Sequence, residues 1–83
     1  MLQICAVYDS KAKVFGRPFF TPHLAQAIRG FQDEVNNPEG GDLNKHPEDF
    51  DLYHLGEFEE STGSFDNAQR PSILCTAASL LKP

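Results

Sequence analysis

The strongest local pattern lies in residues 45–65, KHPEDFDLYHLGEFEESTGSF, where apolar side chains between Leu52 and Phe58 fall on both alternating sets. Pro47 holds the chain extended before a strand, and Ser61-Thr62-Gly63 supplies a turn, because glycine tolerates the positive φ such connections use. This stretch predicts a β-hairpin. Simple alternation puts Leu52, His54, Gly56 and Phe58 on one face of its first strand and Tyr53, Leu55 and Glu57 on the other. Residues 2–8 (LQICAVY) form a short apolar run, which predicts a strand with neighbours on both sides. Thr21-Pro22 reads as an N-cap followed by proline in the first helical turn. Leu24, Ile28, Phe31 and Val35 then recur on one helical face until Asn36-Asn37-Pro38 stops it. Gly30 weakens the helix interior and would let the helix approach the sheet closely.

The remaining segments have no single period. Residues 11–20 (KAKVFGRPFF) read as an ordered connection with extended character, anchored by some of its phenylalanines. Residues 39–45 read as a polar, glycine-containing loop, and residues 67–71 as a break. Residues 72–76 are a candidate strand, and 77–81 a helical turn or frayed tail whose apolar side chains cover the core or a second subunit. The expected fold is one α+β domain over residues 1–83: a small antiparallel sheet of three to four strands with one helix packed across it. Its strands are expected at 2–9, 51–60 and 64–68, with 72–76 a candidate fourth, and its helix at 22–36. Exposed sheet edges and an apolar C-terminal segment favour a homodimer.

A chain of 83 residues buries only a small core. No stretch approaches the roughly 20 apolar residues that cross a bilayer, and the first residues lack the basic start of a secretory signal, so the expected location is the cytoplasm. Cys5 and Cys75 read as small buried apolar residues. With His46 and His54 they are too scattered for structural zinc. The net charge of −5 argues against a protein that coats nucleic acid indiscriminately, but the charges are segregated. Residues 10–32 hold Lys11, Lys13, Arg17 and Arg29 and no acid, whereas residues 33–66 hold eleven acids and one base, Lys45.

No motif for nucleophilic, phosphate-binding or metalloprotease chemistry is present, and no catalytic residue, cofactor or metal site is expected. Glu48, Asp49 and Asp51 read as a solvated turn, and His54 as a half-buried, hydrogen-bonded histidine rather than a general base. Lys11, Lys13, Phe15, Arg17, Phe20 and Arg29 interleave cations with rings, the combination that holds single-stranded DNA by phosphate contact and base stacking. The alternative is a protein-interaction module whose acidic loop and hairpin dock a replication or host protein.

Several short motifs occur in order: YDSKA (8–12), PFF (18–20), AIRGF (27–31), N-x-P (36–38), KHPEDF (45–50), LY (52–53), GEF (56–58) and TG (62–63). Over residues 4–66 this series resembles a small nonstructural protein of gokushovirus-type (Microviridae) single-stranded DNA phages. The resemblance implies a nonenzymatic part in genome replication, in the switch from duplex replicative DNA to single strands, with DNA binding and no catalytic residues to carry over. It implies turn roles for Pro47 and Gly63, close packing at Gly56 and a core role for Phe58.

Overall fold

Strand β1 (Leu2–Asp9) runs through the middle of an antiparallel five-stranded sheet, seen in a computed structural model that describes residues 1–82 apart from the side chains of residues 68 and 69. Along one edge β1 pairs with two short strands, β2 (Val14–Phe15) and β3 (Phe19–Thr21). Along the other it pairs over its whole length with β4 (Phe50–Glu59), which pairs in turn with β5 (Ser64–Thr76). Helix α1 (Leu24–Val35) packs on one face, followed by a single turn α2 (Asp42–Lys45) and a 3₁₀ turn at Pro47–Asp49. A last turn, α3 (Ala77–Leu80), closes the chain.

The α+β class and the antiparallel sheet with its crossing helix hold, with more elements than sequence patterning revealed. The connection 11–20 supplies two strands. The expected strands at 64–68 and 72–76 are one irregular strand, and Pro71 is tolerated because β5 is an edge that need not donate to a further ladder. The expected loop at 39–45 contains α2, introduced by Gly41 at φ 68°, where glycine adopts a left-handed conformation without strain. Helix α1 starts two residues later than Thr21-Pro22 suggested. Thr21 is the last residue of β3, opposite Gln3, and its buried hydroxyl donates to the His23 carbonyl (3.1 Å). His23 is the N-cap instead.

Between sheet and helices the core gathers Cys5, Leu52, Ala27, Phe31, Val35 and Ala77, with Val7, Phe50, Leu74 and Leu80 partly buried around it. Asn36 ties the end of α1 to the C-terminal segment. Its amide donates to the Gln32 and Leu80 carbonyls (2.9 and 3.0 Å), and its oxygen accepts from the Lys82 backbone (2.7 Å). α3 is capped by the Thr76 hydroxyl, which accepts from Ser79 N at 3.2 Å. Gly30 does not mediate close approach: a Cβ there would meet nothing within 4 Å. No described helix is long and apolar enough to cross a membrane.

Both cysteines are free thiols, and burial pushes both above the ordinary thiol value; at Cys75 the nearby Asp51 adds to the effect. Because the folded state holds these protons more tightly, their contribution is complete below the unfolded thiol value of about 8.5 and is lost as pH rises through the folded values. Stability should therefore fall as pH climbs from the unfolded thiol value through the folded ones. Thermal melts across alkaline pH, repeated on a Cys5→Ala, Cys75→Ala variant, will test this, since the double variant should lose that part of the decline.

Candidate nucleic-acid interface

A β-bulge decides what each sheet face carries. Ile4 opposes Gly56 but Cys5 opposes His54, so Leu55 is an extra residue that reverses the alternation of β4. Before the bulge Leu52 and His54 point to the helix side, opposite Val7 and Cys5. After it Glu57 takes that side, opposite Gln3, and Phe58 takes the other, opposite Leu2. The polar end of the helix side is closed by a ladder: the Gln3 amide donates to Glu57 (3.1 Å), and its oxygen accepts from His54 Nε2 (2.9 Å). His54 is thus half-buried and hydrogen-bonded. The simple alternation that put Leu52 and Phe58 on one face fails here, and Phe58 is not in the helix-side core.

The other face carries no helix among the described residues, and most of the rings are there. Tyr8, Phe15 and Tyr53 form one cluster, with centroids 4.7 to 5.9 Å apart. Phe20, Phe58 and Phe65 form a second, at 4.8 to 6.5 Å. Tilted and edge-to-face packing of this kind suits the ring quadrupoles. Beneath them Ile4 and Ala6 are buried, yet Phe15 remains 38 %, Phe20 48 % and Phe65 59 % exposed. The two clusters sit about four residues apart along β1, roughly 13 Å.

Phe15 and Phe20 thus share one solvent-facing surface. Lys13 and Arg17 lie two residues to either side of Phe15 in the chain, and Lys11 lies in the same β1–β2 turn; all three are exposed. Arg29 does not join them. It is exposed on α1, the layer that covers the opposite sheet face. No carboxylate among the described residues forms a salt bridge with any of the four cations. Tyr8, Tyr53, Phe58 and Phe65 escaped sequence reasoning because only the bulge reveals their shared face. The signal within reach was the number of rings, since one helix cannot cover nine aromatics.

The turns at the two ends of this face have one design. In each, an acidic residue ends a strand and accepts from the turn: Asp9 Oδ1 from Lys11 N and Ala12 N (3.0 and 3.1 Å), and Glu59 Oε1 from Ser61 N and Oγ (3.2 and 3.0 Å). The Ser61 backbone bond holds the Glu59 carboxyl below the usual range. The fourth turn residue donates back to the first strand, Lys13 to the Asp9 carbonyl (2.8 Å) and Gly63 to that of Glu59 (2.7 Å). Both are left-handed, with φ 58° and 72°. Lys13 therefore occupies a position suited to glycine, at a conformational cost of about 1–2 kcal/mol.

Among the described residues, the one group of three potential metal ligands close together is His46, Glu48 and Asp49, within 4.8 Å of one another. It lies on the 3₁₀ turn with His46 and Glu48 exposed, and Asp51 stands apart in β4 opposite Tyr8. His46 Nδ1 and Glu48 Oε1 lie 3.7 Å apart there.

A family model described as "Phage ORF5 protein" matches residues 2–80. Protein ORF5 of Chlamydia phage 1 is 35 % identical over 63 residues, covering 72 % of this chain and 66 % of that relative's own length. No solved structure matches.

Proposed function

Because the chain belongs to the Phage ORF5 protein family of gokushovirus-type phages, we propose that it is a nonenzymatic accessory protein of genome replication that holds single-stranded DNA on the open face of its sheet. The observation that carries this reading is the placement of six rings in two clusters on a face without a helix, with Lys11, Lys13 and Arg17 along its β1–β2–β3 edge. Unpaired bases stack on the exposed rings of Phe15 and Phe20 while the cations take phosphates. A duplex hides its base faces and gains only the phosphate contacts. Strands held this way are withheld from conversion to duplex, which suits a switch toward single-strand synthesis. The net charge of −5 keeps binding weak where no ring contributes.

Anisotropy of a labelled oligonucleotide, followed against salt, tests the proposal. Three phosphate contacts predict a slope of log K against log salt of about −2, and the single strand should bind more tightly than its duplex. Equal affinity for duplex and single strand, or no binding at low salt, would overturn it. Lys13→Gly separates charge from backbone: it should preserve or raise the melting temperature by relieving the left-handed strain, while the salt slope becomes shallower by about 0.7.

A further inference from the structure

On the helix side of the sheet a groove of about 370 Å³ opens between α1, β3 and α2, with Phe20 of the second ring cluster among the residues that line it. Its floor is apolar, made by Val7, Ala27, Phe31 and Leu43, with Phe19 as the β3 wall. Gly30 lines it from mid-helix, and the empty space around its would-be Cβ means that a larger residue there would occupy the groove. Its charged lining residue is Glu34, one helical turn beyond Gly30 and exposed. Asp33 and Asp42 lie on the same two helices, and none of these three acids forms a salt bridge among the described residues.

We propose that this groove docks a basic segment of another protein, seating one bulky apolar side chain on the floor while flanking Lys or Arg residues pair with Glu34 and its neighbours. Charge complementarity chooses the occupant. Phosphates are repelled by the exposed Glu34, and a second copy of this chain brings a net charge of −5 with most of its one cation-rich stretch, residues 10–32, already folded into its own sheet edge and helix. An uncharged apolar molecule would leave the acids unused. The groove floor and the aromatic face lie on opposite sides of the sheet and share Phe20 among their residues, so the protein can hold a DNA strand at the Phe15 cluster and a basic protein segment together. The inference does not rest on DNA binding.

The test is an amide-resonance titration with a 12-residue Lys/Arg-rich peptide carrying a central Leu-Phe pair. Two control peptides replace that pair with serine or the cations with glutamate. Shifts should concentrate at Ala27, Gly30, Phe31 and Leu43 and disappear with either control. Gly30→Leu should fill the groove and abolish the response. It should also leave the melting temperature at least unchanged, since it removes a glycine from a helix, and leave oligonucleotide affinity intact. Glu34→Lys should weaken peptide binding about tenfold or more. Shifts elsewhere, an equal response to the serine peptide, or unaltered binding by Gly30→Leu would overturn the proposal. Self-association abolished by Gly30→Leu would assign the groove to a second copy and overturn it equally.

Discussion

Replacing Phe15 and Phe20 together with alanine is expected to remove single-strand binding while leaving the protein folded. A stacked base is worth about 1–3 kcal/mol per ring, so losing both should weaken binding at least about thirtyfold. The fold tolerates the change because both rings are substantially exposed; each loses its partial burial and, beyond that, its pairing with the other rings of its cluster, about 0.5–1.5 kcal/mol, so the melting temperature falls while the fold is kept. Anisotropy titration beside a circular-dichroism melt separates the two effects. Phe19→Ala is the control, since Phe19 pairs with Cys5, lines the helix-side groove, and belongs to neither ring cluster. If the double variant binds as well as the unaltered chain, the aromatic face is not the platform.

Leu52→Ala should have the largest effect on stability. Leu52 is completely buried between the sheet and Ala27, Phe31, Val35 and Ala77. Truncating such a leucine leaves a cavity and costs about 2–5 kcal/mol. Domains near this size have little stability in reserve, and even the lower figure corresponds to a melting temperature about 8 °C lower or more. A urea or thermal melt measures it directly. A change of less than 1 °C would mean that the helix layer does not pack on β4 as described.

Much of this organisation is legible in the chain. Strand β1 could be read as a sheet interior because both of its alternating sets are apolar, and α1 because Leu24, Ile28, Phe31 and Val35 recur on one face. Gly63 marked its turn, and His54 could be read as a half-buried histidine. Other features depend on partners distant in sequence. Thr21-Pro22 has the local signature of a helix start, yet pairing with Gln3 draws Thr21 into a strand. Val14-Phe15 is too short to register as a strand without Tyr8 and Asp9 beside it. For the candidate site, Phe15 and Phe20 were identified by their neighbouring cations. Their aromatic companions were not, because Tyr53 and Phe58 fall on opposite faces in a regular count and share one only through the extra residue between them. Arg29 was grouped with the other cations by proximity in sequence alone, and the sheet separates it from them.

That irregular count at Leu55 makes the register of β4 as consequential as its composition. Deleting this single residue would leave Cys5 opposite His54 and Ile4 opposite Gly56 with nothing between them, so Glu57 would stay opposite Gln3 and Phe58 opposite Leu2. Forcing Leu55 into the regular count would instead turn Phe58 beneath the helix layer and bring Glu57 out among Phe20 and Phe65. No point substitution at Phe58 or Glu57 reproduces that exchange. A frame-preserving three-base deletion at Leu55 would shorten the strand by one residue and leave the sticky side as it is.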